Sequence, residues 1–169
     1  IATLTRKFMD VLSHSKVRLT DTRKTTPGLR HLEKEAVRAG GAANHRMSLS
    51  DGVLIKDNHI SVAGSISNAV NAVRKRISHL MKIEVEVSNM DQVREALDAG
   101  VDVIMLDNMN IESMKEAVGI INEKAIVEAS GNVSLTTLNE IAATGVDVIS
   151  CGALIHQAGS VDLSMRIYL

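Results

Sequence analysis

Aromatic residues are almost missing from this chain of 169 residues: there is no tryptophan, and Phe8 and Tyr168 stand alone. That scarcity excludes the stacking platforms on which single-stranded nucleic acids are held. The core must be built from Ile, Val, Leu, Ala and eight Met. Cysteine is equally rare. With Cys151 alone there is no internal disulfide framework, and a reducing, cytoplasmic setting is expected. Neither sign of charge dominates. The formal net charge is −1 and charged residues make up 23%, which offers no electrostatic case for nucleic acid or an anionic membrane surface. Any anion site must therefore be local. No apolar run approaches the roughly 20 residues that span a bilayer, and no secretory signal is visible.

What is present is regular alternation. A chain of this length buries one core, so a single domain over 1–169 is expected. Its first residues, Ile1-Ala2-Thr3-Leu4, read as the interior of a helix whose stripe continues through Phe8, Met9 and Leu12. The expectation is that this is one domain of a larger protein. Candidate strands lie at 17–21, 52–56, 83–87, 102–106, 125–129 and 146–150. Between them run amphipathic helices, marked by Leu29, Leu32, Ala36 and Val37, by Ile66, Val70, Val73, Ile77 and Leu80, and by Ile111, Met114, Val118 and Ile121. Asn89 with Gln92 has the form of a capping box, Asn110 and Ser134 precede apolar runs, and Gly100 and Gly145 stand where helices stop. Strands separated by helices imply βαβ crossovers and a parallel sheet. The stretch Gly100-Val101-Asp102-Val103-Ile104 recurs 45 residues later as Gly145-Val146-Asp147-Val148-Ile149. Repeated βα modules of this kind fit a barrel. Six strands fall short of the eight that close one, so the fold expected is α/β, an incomplete or open (β/α) TIM-like barrel.

The polar residues gather where these strands end. After the first strand comes Thr22-Arg23-Lys24-Thr25-Thr26-Pro27-Gly28, with two cations and three hydroxyls before a Pro-Gly stop. Asn44-His45-Arg46 precedes the second strand, and Lys56-Asp57-Asn58-His59 follows it. In a barrel, ligands are held at this face by residues from several strands. Arg23 and Arg46 suit carboxylates through two-pronged hydrogen bonds, while Lys24 and Lys56 supply mobile point charges. His45 and His59 read first as neutral structural histidines, with contact to a ligand the second reading for His45. Glu84 and Glu86 point to the same side of their strand, and interior acids require cations or a metal as partners. Glu86 and Asp107, on successive strands, fit Mg2+, which binds through one or two carboxylates together with substrate phosphates. A salt-bridge network with the four cations is the alternative. Ser130-Gly131-Asn132 and Cys151-Gly152 follow the last two strands, where barrels commonly take phosphate. Cys151 itself reads as a small buried hydrophobe. No Walker loop, dinucleotide fingerprint, metal-spaced Cys/His cluster or hydrolase elbow occurs. A cradle for anionic substrates, working by positioning and charge, is the reading that remains.

Taken in order, Asp21-Thr22-Arg23-Lys24-Thr25-Thr26-Pro27-Gly28-Leu29-Arg30, Asn44-His45-Arg46, Ile55-Lys56-Asp57-Asn58-His59, Glu84-Val85-Glu86-Val87, Leu106-Asp107-Asn108 and Glu128-Ala129-Ser130-Gly131-Asn132 resemble quinolinate phosphoribosyltransferase over essentially the whole chain. The likeness is to the C-terminal, barrel-like domain of that family, without its N-terminal α/β sandwich. It implies transfer of phosphoribose from phosphoribosyl pyrophosphate (PRPP) to quinolinate with Mg2+ and loss of CO2, in NAD synthesis. By the resemblance, Arg23, His45 and Arg46 hold the quinolinate carboxylates with help from Thr22. Lys24 and Lys56 lie between the substrates. Glu86 and Asp107 bind the ribose hydroxyls and Mg2+, and Ser130, Gly131, Asn132 and Gly152 take the 5′-phosphate. The family often has Gly where Asn132 stands. It also implies a homodimer whose partner subunit completes the site with an arginine. A related phosphoribosyltransferase associated with molybdenum transport, or a non-catalytic fragment, are the competing readings.

Overall fold

A computed structural model describes residues 1–168. Six parallel strands form one sheet: β1 (Arg18–Thr20), β2 (Val53–Ile55), β3 (Ile83–Val87), β4 (Val103–Asp107), β5 (Ile126–Ser130) and β6 (Val148–Ser150). The helices are α1 (Ala2–Val11), α2 (Arg30–Ala39), α3 (Asp57–Ala63), α4 (Ile66–Arg74), α5 (Met90–Asp98), α6 (Ile111–Ile121), α7 (Leu138–Ala142) and α8 (Ala153–His156). The strand order is β1-β6-β5-β4-β3-β2. Each strand from β2 onward therefore lies beside its successor, and β6 returns to β1. Among the described residues, only the seam between β1 and β2 lacks a strand-to-strand ladder, so the architecture is an open α/β barrel of the TIM-like kind.

The chain segment before β2 fills that seam. Ala43 forms a parallel bridge with Thr20: its N–H donates to the Leu19 carbonyl at 2.9 Å, and its own carbonyl accepts from Asp21 N–H at 3.3 Å. Three residues on, the Arg46 guanidinium reaches the carbonyl of Gly52 at 2.8 Å, next to β2. A short irregular segment thus spans the gap that a strand spans elsewhere.

Register explains where the core sits. In β3, Ile83, Val85 and Val87 are buried beneath helices, while Glu84 and Glu86 alternate onto the opposite face. Pairing carries this alternation around the sheet: Glu86 aligns with Met105 and Met105 with Glu128, and a step further Asp107 aligns with Ser130 and Ser130 with Ser150. Val85, Ile104, Leu106, Ala129 and Ile149 belong to the apolar cluster between sheet and helices, with Val70, Val93, Ala117 and Leu138 packed against them. The hydrophobic core is therefore a sleeve outside the strands. The lumen is polar.

Several sequence expectations need correction. The strands hold, with shorter or shifted ends: 17–21 becomes Arg18–Thr20, 102–106 becomes Val103–Asp107 and 125–129 becomes Ile126–Ser130. The stripe drawn to Leu80 stops early, because α4 ends at Arg74 and Leu80 is exposed. The Ser134 cap opens a turn rather than a long helix: Ser134 Oγ accepts from Thr137 N–H at 3.2 Å, and α7 begins only at Leu138. Asn89 and Asn110 do cap α5 and α6, accepting from Gln92 and Ser113 N–H. Helix α3, directly after β2, has no counterpart in the periodicity. The face of α2 is the largest difference. Leu32 is 71% exposed, and the helix buries Glu33, Lys34 and Val37 instead. Two charges can face inward there because each has a partner: Glu33 accepts from Thr26 N–H at 2.9 Å, and Lys34 pairs with Asp21.

Candidate active site at the open end of the barrel

The C-terminal ends of the strands surround a cavity of about 710 Å3. Every site residue expected from the sequence lines it: Thr22, Arg23 and Lys24 after β1, His45 and Arg46 in the seam, and Lys56 after β2. Glu86 and Asp107 on β3 and β4, Ser130, Gly131 and Asn132 at β5, and Gly152 after β6 complete the ring. Residues far apart in sequence meet because each parallel strand delivers its end to one rim.

The cations lie mainly on the side of β1 and β2. Arg23 lines the cavity, and its Nε is buried without a hydrogen-bond partner, a charged donor left unsatisfied beside the site. Burial and the positive charge of Arg23 hold the Arg46 guanidinium below its ordinary pKa. Two guanidiniums set this close together form a natural slot for an anion. Lys56 forms an ion pair with Glu86 across the β2–β3 edge. Of the alternative network foreseen for the acids, this pair exists. Asp107 is different: its carboxylate accepts from its neighbour Asn108 at 2.9 Å. Lys24 N–H donates to Thr22 Oγ1 at 3.1 Å, which shapes the turn from β1 into the cavity.

His45 is more enclosed than expected. Its Nε2 lies 3.4 Å from a carboxylate oxygen of Glu84 and 3.4 Å from one of Glu128. Its Nδ1 accepts from Arg46 N–H at 2.9 Å. Burial lowers its pKa, but hydrogen bonding to and the charges of Glu128 and Glu84 outweigh burial and raise it to about 9. The bond from Arg46 N–H favours the neutral ring and opposes that rise, since a protonated Nδ1 cannot accept. Burial lifts the Glu84 carboxyl above the usual carboxylate range, with His45 opposing and Glu128 reinforcing the shift. His59 serves structure: its Nδ1 accepts from Lys56 N–H at 2.9 Å and caps α3.

On the far side, the loops after β4 and β5 interlock. Asn132 Nδ2 donates to Asn108 Oδ1 at 3.0 Å, and both asparagines adopt left-handed backbone, with φ of 51° and 53°. Asparagine is among the few residues other than glycine that enter this region readily, so Asn132 fits a position where glycine is common. Gly152 lies close to His156 and Thr22, so that a Cβ there would stand 3.0 Å from His156 Nε2. Cys151 is buried, as expected, and burial raises its thiol pKa.

Sequence reasoning passed over several lining residues: Leu54, Met105, Ser150, His156 and Gln157. The signal for Met105 and Ser150 was available in the period of two that separated Glu84 from Glu86. His156 lies four residues beyond Gly152, one helical turn away.

This geometry can be set beside known proteins. Residues 1–166 match the family model described as quinolinate phosphoribosyl transferase, C-terminal domain. The chain belongs to that family. It is 51% identical over 170 residues to the "probable nicotinate-nucleotide pyrophosphorylase (carboxylating)" of Synechocystis sp., covering 99% of this chain and 58% of that protein. It is 46% identical to the protein of the same name from Bacillus subtilis, covering 100% and 58%. Among solved structures, NadC from Streptococcus pyogenes superposes with a TM-score of 0.91 at 42% identity, over 98% of this chain and 58% of that one. The chain thus spans somewhat more than half the length of these quinolinate phosphoribosyltransferase relatives. Among the described residues, no helix is long and apolar enough to cross a membrane.

Proposed function

We propose that the cavity binds quinolinate and PRPP and that the protein to which this domain belongs transfers phosphoribose to the pyridine nitrogen with loss of CO2, yielding nicotinate mononucleotide and pyrophosphate for NAD synthesis. The observation that carries this reading is the pairing of Arg23, with its buried unpartnered Nε, and Arg46 across from an acidic rim. A planar dicarboxylate matches the two guanidinium forks. Thr22 and His45 border the same pocket, and His45 contacts substrate only if it exchanges its bonds to Glu84 and Glu128.

In this scheme Lys24 and Lys56 stand between the substrates and draw the pyrophosphate away as the bond to the anomeric carbon breaks. Lys56 leaves Glu86 to do so. Glu86 and Asp107 then face the cationic ribose and its hydroxyls, where carboxylates stabilise the developing charge. Ser130, Gly131, Asn132 and Gly152 take the 5′-phosphate through a hydroxyl, amides and close backbone approach. When CO2 departs, its electron pair stays on the ring carbon beside the newly quaternised nitrogen, and a proton replaces it. Water exclusion and fixed cations lower the cost of that step.

The site also fits Mg2+. Glu86 and Asp107 are inward carboxylates on adjacent strands, and hard oxygen donors of this kind hold that ion beside substrate phosphates. Bound there, it would neutralise pyrophosphate charge. The same reading includes a cytoplasmic homodimer in which a partner subunit's arginine completes the quinolinate pocket.

Quinolinate-dependent release of CO2 and pyrophosphate from PRPP, measured in the whole protein, is the test. Turnover that ceases on Arg46→Ala supports the assignment. Failure to turn over quinolinate, with another acceptor used instead, would transfer it to a related phosphoribosyltransferase.

A further inference from the structure

The most deeply buried charges in the molecule touch no part of the cavity. Lys34 on α2 and Asp21 after β1 form an ion pair whose side chains are 1% and 0% exposed. Neither residue contacts the space where substrates are placed, yet both grip the segment that supplies two of its walls. Asp21 Oδ1 accepts from His45 N–H at 2.9 Å, and Lys34 Nζ donates to the His45 carbonyl at 3.0 Å. Asp21 Oδ2 accepts from Asn44 Nδ2 at 2.6 Å, and the same amide donates to the Lys34 carbonyl at 2.9 Å. The peptide groups on either side of the His45 Cα are thus fixed by one cation and one anion.

Stability alone does not account for such a pair. A buried ion pair is commonly matched or exceeded by apolar side chains of equal size, because desolvating both charges offsets most of their attraction. Hydrocarbon at positions 21 and 34 would fill the space but could bond neither the N–H nor the carbonyl of His45. The segment also has no strand ladder to hold it. It bridges the β1–β2 seam with Ala43 paired to Thr20 and Arg46 reaching Gly52.

We propose that Asp21 and Lys34 are positioning residues for carboxylate binding: their pair, with Asn44, locks the seam segment so that Arg46 and His45 enter the cavity in one orientation. The proposal rests on the quinolinate reading above. The carboxylates and phosphate loop proposed for PRPP lie on the opposite rim, and none of the lock's hydrogen bonds reaches them.

The test compares the whole protein with Asp21→Asn/Lys34→Met, in which both charges are removed together and Asn retains an acceptor for His45 N–H. Thermal melting of this double variant should stay near that of the unsubstituted protein, whereas each single substitution strands a buried charge and melts lower. Calorimetry with quinolinate should show about tenfold weaker binding or worse, since lost charge-assisted bonds leave Arg46 free to wander. Calorimetry with PRPP should change by less than about twofold. Hydrogen exchange at the His45 and Arg46 amides should accelerate while the amides of β3 to β5 keep their protection. Asn44→Ala, which leaves both charges paired, should show the same selectivity with a smaller loss and serves if the double variant does not fold. Unchanged quinolinate affinity with unchanged exchange would overturn the proposal, as would equal weakening of both ligands. If the unsubstituted protein ignores quinolinate, the functional reading fails by itself, and the exchange comparison still decides whether the lock exists.

Discussion

Gly131 and Asn108 occupy adjoining space so closely that a Cβ on the glycine would collide with the asparagine side chain. The backbone of Gly131 also runs at a φ of +93°, where other residues are strained. Gly131→Ala should therefore displace the Asn108 loop and cost about 1–3 kcal/mol. Urea denaturation reads the cost directly, and an unchanged midpoint would contradict it.

Its neighbour provides the matched control. Asn132 lies at a φ of 51° and donates to Asn108. Asn132→Gly should be nearly neutral, whereas Asn132→Val should lose on the order of 1–2 kcal/mol, because a branched Cβ is crowded in left-handed backbone. Equal midpoints for the two variants would show that the backbone angle is not what selects the residue.

The two guanidiniums are expected to be irreplaceable by lysine. Arg23→Lys and Arg46→Lys keep the charge but lose the fork. Each should weaken quinolinate binding by about ten- to a hundredfold, the equivalent of about 1.5–3 kcal/mol for a hydrogen bond to a charged group. Titration calorimetry settles the matter, and full retention of affinity in Arg23→Lys would place the carboxylates elsewhere.

The acidic rim should behave independently. Glu86→Ala combined with Asp107→Ala is expected to weaken binding of PRPP with Mg2+ while sparing quinolinate, and chelating the metal should reproduce the pattern. Parallel loss of both ligands would sink this division of labour.

His45 ties folding to pH. Its pKa of about 9 in the folded protein exceeds the 6.5 of a free imidazole. The stabilisation is therefore fully present below about pH 6.5 and is lost as pH rises through about 9. Its ceiling is roughly 3 kcal/mol, less the part opposed by the bond from Arg46 N–H. Glu84, also raised by burial, lowers stability as pH rises too, beginning from the ordinary carboxylate range. Melting temperatures across pH 6 to 10 should fall more steeply in the unsubstituted chain than in His45→Gln. A slope that survives the substitution would assign the effect to other groups.

Much of this is legible in the sequence alone. The period-two run Ile83-Glu84-Val85-Glu86-Val87 announces a strand with one apolar and one acidic face, and both faces lie where the alternation puts them. The clustering of polar residues after strands was enough to bring Arg23, Lys56, Asp107 and Gly131 to one rim. Helix α2 was not legible. Its Leu32 fits a stripe but faces solvent, because inward space beside Asp21 is better used by a cation that can pair. Side-chain pairing between distant elements leaves no periodic trace. The same holds for His45, whose engagement with Glu84 and Glu128 depends on three elements meeting in the lumen.

The polar lumen has a further consequence. A barrel centre filled with branched hydrocarbon coheres by itself, whereas this one sets the carboxylates of Glu84, Glu86, Asp107 and Glu128 together, with His45 and Lys56 as cationic partners for three of them. On the proposed reading, substrate anions inserted among the cations would supply the cohesion that side chains do not. The protein and its two proposed substrates would then form a single packing unit, so occupancy should report on rigidity as much as on turnover.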